Sequence, residues 1–263
     1  MEDLIKSCLK RAATEKTADT YRTGVNHFVR YLADQGISLE DVRTKDAEAF
    51  KNKMASRYVP NSTNTYVAGA RYLCEEAVER GLLEYNPFDQ IGRESIEPSS
   101  PNQLTTRDLL EVLAWVDRKP EHVKMAFYAM WATGLRLGEV VALRASDIVV
   151  LNGAYWVQVK GRFAPIVHAK AARMLADYAA RADKHSTLFK ITANTLLWHA
   201  RECRLDTGIN FRTRCFRDTF GVSLADRGVE IHTLQEALRL KSIVSAERYI
   251  ATPSPDVAAL AVH

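Results

Sequence analysis

The side chains best suited to chemistry are cationic, and they gather in the second part of the chain. Arg136 follows a glycine in the segment TGLRLGEVVALRASDI, residues 133–148, and Glu139 lies one turn further along. Five arginines then crowd into one short stretch, at Arg201, Arg204, Arg212, Arg214 and Arg217. Such a concentration of guanidinium groups is compatible with a polyanionic partner. Tyr249 is the remaining candidate, late in the sequence.

The charge of the chain is modest but unevenly distributed. The net charge is +4 over 263 residues. Residues 1–95 carry 14 Lys and Arg against 15 Asp and Glu, whereas residues 96–263 carry 22 against 17. The basic excess therefore belongs to the second part, where the arginines cluster.

Several classes of function lack sequence support. There is no Walker loop, GxGxxG, HExxH or GxSxG motif, which leaves nucleotide hydrolysis and the common hydrolase mechanisms without a basis. The four cysteines are far apart and form no CxxC pair, so we expect reduced thiols in a cytoplasmic protein and no metal site. The N-terminal sequence MEDLIKSCLK does not resemble a signal peptide, and no apolar run approaches the roughly 18 residues of a membrane span.

The elements that must position these residues are mostly helices. Apolar residues recur at helical spacing near residues 17–35, 44–54 and 62–77, after a short helix at 4–12, and Thr44 is a candidate cap. Residues 91–103 lack periodicity and predict an interdomain linker. Helices resume after Thr105 or Thr106 and again near 122–133, 169–181, 192–203, 215–226, 232–239 and 244–250.

One stretch predicts a small β-sheet. Residues 148–151 are apolar and mostly β-branched, and Asn152-Gly153 separates them from an alternating apolar run, which is a strong hairpin pattern. A second turn at Lys160-Gly161 leads to Ile166 and Val167. The sequence thus predicts a mostly α fold with a small antiparallel sheet.

Four segments in order resemble the tyrosine recombinases, the family of phage integrases and Xer-type recombinases. Residues 133–148 resemble the first signature box, and RCFRDTF, residues 214–220, resembles the second, usually His-x-Leu-Arg followed by His-Thr-Phe. LRLKSIVSAERYI, residues 238–250, resembles the Leu-Gly-His…Tyr segment, and Lys160 resembles the lysine of the family's β-hairpin. Residues 17–88 resemble the helical core-binding domain, so the match covers nearly the whole chain.

The resemblance implies a role for each residue. Arg136 and Arg217 would hold the scissile phosphate, because guanidinium groups can grip its oxygens through paired hydrogen bonds, and Glu139 would support the site. Tyr249 would attack in line and leave a 3′-phosphotyrosyl bond and a 5′-hydroxyl, without metal, ATP or another cofactor. Lys160 would protonate the departing oxygen, unless the short hairpin places Arg162 there instead.

The sequence also departs from the family pattern. Arg214 stands at the second-box histidine position, Asp218 follows Arg217 where histidine is common, and Leu240 takes the position of a third-box His or Trp. Arg239 replaces the usual glycine. Arg214 can bind phosphate but is unsuited to proton shuttling, and Leu240 can pack without donating a hydrogen bond. These departures predict reduced or specialised activity.

The resemblance further implies a domain organisation. Residues 1–90 would form a SAM-like, helical core-binding domain, residues 91–103 a linker, and residues 104–263 a mixed α/β catalytic domain with the nucleophile segment and a tail. The two domains would clamp a DNA duplex, with candidate contacts from Lys51, Lys53, Asn61, Asn64, Arg71 and Arg162. Four protomers would synapse two duplexes, with Tyr249 acting in its own subunit, and the tail at 255–262 would dock on a neighbour or on its own domain.

These features also predict a subtype and a location. Only about a dozen residues precede the core-binding domain, which favours a simple integrase or a Xer-like resolvase without an arm-binding domain. Such an enzyme would work in the cytoplasm and would associate with the nucleoid when bound to DNA. Its possible accessory partners are DNA-bending or directionality factors. No membrane partner is expected.

Other functions remain open from sequence alone. A DNA-binding protein on a decayed recombinase scaffold would bind its site without leaving a covalent adduct. A type IB topoisomerase-like enzyme would relax supercoils as a monomer, although the integrase-like first domain counts against it. A purely structural helical protein gives no reason for the four ordered segments.

Overall fold

A computed structural model describes residues 1–12, 14–96, 99–183 and 185–251. Its contacts divide the chain into two compact units, residues 1–97 and 98–263, described separately below. No helix among the described residues is both long and apolar enough to cross a membrane.

The first unit is helical. Its helices are α1 (Glu2–Lys10), α2 (Glu15–Gln35), α3 (Thr44–Ala55) and α4 (Pro60–Glu79), with a short 3-10 helix at Leu39–Asp41. Helices α2 and α4 cross at two glycines, since a Cβ on Gly24 would lie 2.5 Å from the Tyr66 carbonyl oxygen and one on Gly69 would lie 2.6 Å from that of Tyr21. The missing side chains let the two backbones touch.

An aromatic cluster fills the core of this unit. The rings of Phe50 and Phe88 meet that of Phe28 edge-on at 5.0 and 5.1 Å between centroids. The packed unit continues past residue 90, because the Asn64 amide donates to the Glu94 carbonyl at 2.9 Å and accepts from the Glu94 N–H at 2.8 Å. Part of the stretch predicted as linker is therefore fastened to α4.

The second unit contains eight helices and three strands in its described residues. The helices are α5 (Thr106–Asp117), α6 (Glu121–Thr133), α7 (Leu137–Ala142), α8 (Ala169–Arg181), α9 (Ala193–Thr207), α10 (Thr213–Asp226), α11 (Ile231–Ala237) and α12 (Val244–Ile250), with a 3-10 helix at Ala145–Asp147. The strands are β1 (Ile148–Leu151), β2 (Ala154–Val159) and β3 (Arg162–Pro165). The mostly α fold with a small sheet is confirmed.

The sheet is an antiparallel meander in the order β1-β2-β3. Leu151 pairs with Ala154 and Val159 pairs with Arg162, so each turn has two residues. Asn152 and Lys160 have φ angles of 51° and 50° and each precedes a glycine with positive φ, as a twist-compatible hairpin turn requires. Both predicted turns are confirmed. The third strand ends at Pro165, because the Val167 N–H leaves the sheet for the Ala132 carbonyl of α6 at 3.2 Å.

Most predicted helices are present, with shifted ends. Thr105 caps α5 through its side chain, as predicted, by accepting from the Asp108 N–H at 3.1 Å. The prediction for Thr44 is wrong: it is the first helical residue of α3, and Asp46 binds the Arg43 N–H at 2.9 Å. Helix α4 begins at Pro60, which suits a first turn because proline has no N–H to leave unpaired.

Candidate functional site

The site is built around the end of helix α6. Helix α6 ends at Gly134, whose φ of 60° turns the chain and leaves its carbonyl oxygen free to accept. Arg217 of α10 donates from Nη1 to that oxygen at 2.6 Å and from Nη2 to the carbonyl of Leu238. A guanidinium that is 7% exposed thus joins three segments far apart in sequence. Burial first, then the positive charges of Arg136 and Arg239, lower the pKa of Arg217 to about 10.

Arg136 lies at the start of the next helix and is fixed by Glu139. The Arg136 N–H donates to Glu139 Oε2 at 2.8 Å, and its Nη1 donates to Oε1 at 2.7 Å. Nη2 reaches the Arg239 carbonyl at 3.1 Å. Burial opposes the charge of Glu139, but the backbone hydrogen bond of Arg136 and the charge of Arg239 outweigh it and lower the Glu139 pKa. The carboxylate is therefore a fixed support for two arginines.

Arg239, which replaces the family glycine, adopts a backbone conformation that favours glycine. Its φ is 50°, an uncommon value for a residue with a side chain. Its guanidinium is buried and donates to the Ala237 carbonyl at 2.7 Å and to Glu139 Oε2 at 3.2 Å. This ion pair holds the Arg239 side chain in place, and it adds a cation behind Arg136.

Tyr249 is buried on helix α12 and is bound to an acid. Its hydroxyl donates to Asp218 Oδ1 at 3.0 Å, and the two residues are 2% and 1% exposed. Burial first, and then the negative charge of Asp218, raise the pKa of Tyr249. One face of the ring packs on Gly221, where a Cβ would lie 2.7 Å from the ring. The phenol is thus neutral and held in one orientation.

Arg136, Arg217 and Tyr249 line one pocket of about 350 Å³. The charged and aromatic side chains in its wall include four residues predicted from sequence and one that was not, namely Arg136, Arg214, Arg217, Tyr249 and Arg248. Leu240 completes the same wall, so the residue at the family His/Trp position faces the pocket with an apolar group. Four guanidinium groups around one phenol can bind a phosphate and present it to a nucleophile.

The hairpin cation lies outside this pocket wall. Lys160 is exposed at the turn between β2 and β3 and is not part of the lining. Arg162 lines a second cavity, of about 600 Å³, which has Leu240 in common with the first. The choice between Lys160 and Arg162 therefore stays open. Within the described residues, no group of three or more His, Cys, Asp or Glu side chains could hold a metal ion.

The candidate DNA contacts of the first unit differ in how they are engaged. Asn64 and Arg71 hold the chain after α4, with Arg71 Nη2 donating at 2.8 Å to the carbonyls of Phe88 and Ile91. Lys51 pairs with Glu94 at 2.8 Å, and Lys53 pairs with Asp34 at 3.4 Å. Asn61 is exposed at the start of α4.

Sequence reasoning missed the acid beside the nucleophile. The sequence marks Asp218 only as a departure from the family histidine, because three of its four partners, Tyr249, Arg248 and Asn102, come from other segments. Arg248 approaches Oδ1 at 3.5 Å, Arg214 approaches Oδ2 at 3.4 Å, and the Asn102 N–H donates to Oδ2 at 3.1 Å. The available clue was an acid directly after Arg217, at a position where the family commonly has histidine.

Family comparisons agree with this fold. A model of the phage integrase family matches residues 102–254, and a model of the phage integrase SAM-like domain matches residues 1–95. The first match alone spans more than half of the chain. The chain therefore belongs to the phage integrase family, the tyrosine recombinases.

Curated relatives are similar over almost their full length. The tyrosine recombinase XerC of Roseiflexus castenholzii is 24% identical, over 95% of this chain and 88% of its own. The tyrosine recombinase XerD of Shewanella oneidensis is 22% identical, over 95% of this chain and 89% of its own.

Solved structures have the same fold. The XerH site-specific recombinase bound to a palindromic difH substrate, in a post-cleavage complex, gives a TM-score of 0.73 at 18% identity, over 96% of this chain and 81% of that one. A lambda integrase tetramer bound to a Holliday junction gives 0.71 at 19% identity, over 94% and 75%. The N-terminal SAM-like domain followed by a catalytic domain is confirmed as the fold class.

Proposed function

We propose that this protein is a site-specific DNA recombinase that cleaves and rejoins DNA through Tyr249. The observation that carries the proposal is the single pocket that brings Tyr249 together with Arg136, Arg214 and Arg217. No other described cavity combines a tyrosine of the third signature segment with arginines of the first two.

The reaction follows from the chemistry of the pocket. The guanidinium groups of Arg136 and Arg217 bind the non-bridging oxygens of the scissile phosphate and stabilise the charge that develops there. Tyr249 Oη attacks phosphorus in line and displaces the 5′-oxygen, leaving a 3′-phosphotyrosyl bond. Because that ester keeps the bond energy, attack by a partner strand's 5′-hydroxyl rejoins the DNA without metal or ATP.

The hairpin supplies the proton for the departing 5′-oxygen in this proposal. Lys160 and Arg162 lie two residues apart at its tip, both exposed. Lysine is the better general acid, since the guanidinium of arginine holds its proton too tightly. Two alanine variants distinguish the candidates. If Lys160→Ala loses cleavage and Arg162→Ala keeps it, the general acid is Lys160.

Duplex DNA and further protomers complete the proposal. The similar structures include a recombinase bound to its difH substrate and an integrase tetramer bound to a Holliday junction, which supports DNA binding and assembly in fours. In the first unit Asn61 and Lys53 are the candidate contacts that do not fasten the chain after α4. Lys51 would need to exchange its ion pair with Glu94 for DNA, and Asn64 and Arg71 would need to exchange internal hydrogen bonds. Phosphate contacts of this kind would make binding salt-sensitive.

Covalent trapping tests the proposal. Nicked suicide duplexes carrying candidate sites from the native locus are mixed with wild type and with Tyr249→Phe, and the products are run on a denaturing gel. We expect a slowly migrating protein–DNA adduct with wild type only, because the nick lets the cleaved strand diffuse away and prevents rejoining.

Two other results would point to other functions. Binding to a site without any adduct would indicate a DNA-binding protein on a decayed scaffold, for which Leu240 in the pocket wall is the structural argument. Adducts on any duplex, with relaxation of supercoiled DNA by monomers, would indicate a type IB topoisomerase-like enzyme.

A further inference from the structure

We propose that Asp218 is the general base that takes the proton from Tyr249 during DNA cleavage. This inference rests on the proposed function and assigns a residue that the family pattern does not supply at this position. It starts from the 3.0 Å hydrogen bond between the Tyr249 hydroxyl and Asp218 Oδ1.

The nucleophile needs a base at the moment of attack. The phenol is 2% exposed, and both burial and the neighbouring carboxylate favour its neutral form, as its raised pKa reflects. A neutral phenol that attacks phosphorus must lose its proton as the new bond forms. The charged groups in the pocket wall are guanidinium groups, and these have no proton-accepting lone pair.

Asp218 is held so that one oxygen faces the phenol. Oδ2 accepts from the Asn102 N–H at 3.1 Å and lies 3.4 Å from Nε of Arg214. Oδ1 accepts the hydrogen bond of the phenol at 3.0 Å and lies 3.5 Å from Nη2 of Arg248. The charged or titratable groups that bear on the pair come from helices α10 and α12: Arg214, Cys215, Arg217 and Arg248.

The proposed step balances as follows. The Tyr249 Oη–H bond breaks and its proton goes to Asp218 Oδ1, while the oxygen's electron pair forms the bond to phosphorus. The P–O5′ bond breaks, and the 5′-oxygen takes a proton from the hairpin acid. In rejoining, the 5′-hydroxyl gives its proton back to the hairpin group as its oxygen attacks phosphorus. The bond between phosphorus and Tyr249 Oη breaks, and the protonated Asp218 returns its proton to Tyr249 Oη.

Asp218→Asn separates proton acceptance from positioning. The amide oxygen can still accept the phenol hydrogen bond, but it does not take the proton. Asp117→Asn is the matched control, because Asp117 Oδ1 accepts the Tyr128 hydroxyl at the same 3.0 Å and neither residue lines the site pocket.

Single-turnover cleavage of suicide duplexes at saturating protein is the first measurement. We expect Asp218→Asn to cleave about 10²–10⁴-fold more slowly at neutral pH, the usual contribution of a general base, with unchanged DNA binding. The deficit should narrow as pH rises, because phenolate needs no base. Asp117→Asn should match wild type. Cleavage by Asp218→Asn at the wild-type rate, or faster, would overturn the assignment.

A sulfur leaving group distinguishes base from acid. In duplexes with a 5′-bridging phosphorothiolate, the departing thiolate needs no proton, since thiols ionise near pH 8.5. Whichever of Lys160→Ala and Arg162→Ala removes the general acid should recover the wild-type cleavage rate on these duplexes. Asp218→Asn should stay slow, and its recovery would contradict a role as base.

A titration without DNA keeps this inference distinct from the proposed function. With ring-labelled tyrosine, carbon NMR follows the ionisation of Tyr249 in the free protein. The Tyr249 pKa should fall in Asp218→Asn, because the carboxylate charge that disfavours phenolate is gone. An unchanged Tyr249 titration overturns the inference even if wild type forms no adduct.

A second variant, Asp218→His, carries the test if Asp218→Asn fails to fold. Its imidazole should accept the proton and support cleavage, and the cleavage rate should fall below about pH 6.5, where imidazole becomes protonated. If Asp218→His folds and binds DNA but does not cleave it, the assignment is overturned.

Discussion

At the scale of single residues, the site fixes its charged groups through backbone carbonyls and ion pairs. Arg217 is held by two backbone carbonyls, and Glu139 lies between the guanidinium groups of Arg136 and Arg239. Arginine side chains fixed before phosphate arrives need no reorganisation during the reaction, which is the source of most electrostatic catalysis. The strained backbone of Arg239 is a cost of this arrangement.

Arg217→Lys should lower the cleavage rate about 10²–10³-fold, the usual effect of losing one oriented donor at a reacting anion. Lysine keeps the positive charge, but it lacks the planar guanidinium group. It therefore cannot donate to the carbonyls of Gly134 and Leu238 and to a phosphate oxygen at the same time. Single-turnover cleavage measures the effect.

Arg201→Lys, an exposed position on α9, is the matched control and should cleave like wild type. An Arg217→Lys enzyme of wild-type speed would show that the buried guanidinium serves the fold and not the reaction.

At the scale of elements, close backbone packing and internal ion pairs set the stability of the first unit. Helices α2 and α4 touch at Gly24 and Gly69. Helix α1 is joined to α4 through Glu76, whose carboxylate is 6% exposed and binds Arg11 and Arg80 at 2.8 Å each.

Gly24→Ala and Gly69→Ala should each lower the free energy of unfolding by about 1–3 kcal/mol, because the new methyl group meets backbone that must move. Gly92→Ala, where a Cβ meets nothing within 4 Å, should change it by no more than about 0.5 kcal/mol. Urea unfolding followed by circular dichroism measures the three variants. Equal stability of all three would contradict the close crossing.

Glu76 should make the first unit sensitive to acid. The hydrogen bond from Arg11 is the largest cause that lowers the Glu76 pKa from 4.5 to about 2. A lowered pKa means that the stabilisation is complete above pH 4.5 and is lost as the pH falls from 4.5 towards 2.

Glu76→Gln should therefore lower the free energy of unfolding by on the order of 1 kcal/mol at neutral pH, because the arginine partners are partly exposed. The difference from wild type should vanish as the pH approaches about 2. Urea midpoints across pH test it, with the exposed neighbour Glu75→Gln as control. A difference that does not depend on pH would contradict the ion-pair explanation.

Local sequence patterns predicted the helices and strands, but they could not predict the contacts inside the site. Helical spacing found the helices, and Asn152-Gly153 and Lys160-Gly161 found both hairpin turns, because these depend on neighbouring residues. The bond from Tyr249 to Asp218 joins residues 31 apart, and the positive φ of Arg239 depends on a buried pair with Glu139. Such long-range compensation has no periodic pattern. The resemblance pointed to Arg136, Arg214, Arg217 and Tyr249, which share the pocket wall, but also to Lys160, which lies outside it. It did not indicate what holds these side chains in place.

At the scale of the whole molecule, the two units of the chain contain different kinds of functional residue. The phenol, the arginines and the acid lie in residues 98–263, and the remaining candidate DNA contacts lie in residues 1–97. We propose that the first unit contributes affinity and that the second contributes the chemistry. Substitutions at Lys51, Lys53 or Asn61 should then weaken binding without slowing cleavage at saturating protein.

The most direct test of the account identifies the residue joined to DNA. The adduct trapped on a suicide duplex is digested with nuclease and trypsin, and mass spectrometry locates the remaining nucleotide. The account predicts a nucleotide attached through its 3′-phosphate to Tyr249, in the peptide that follows Arg248. A nucleotide on any other residue, or attachment through a 5′-phosphate, would contradict it.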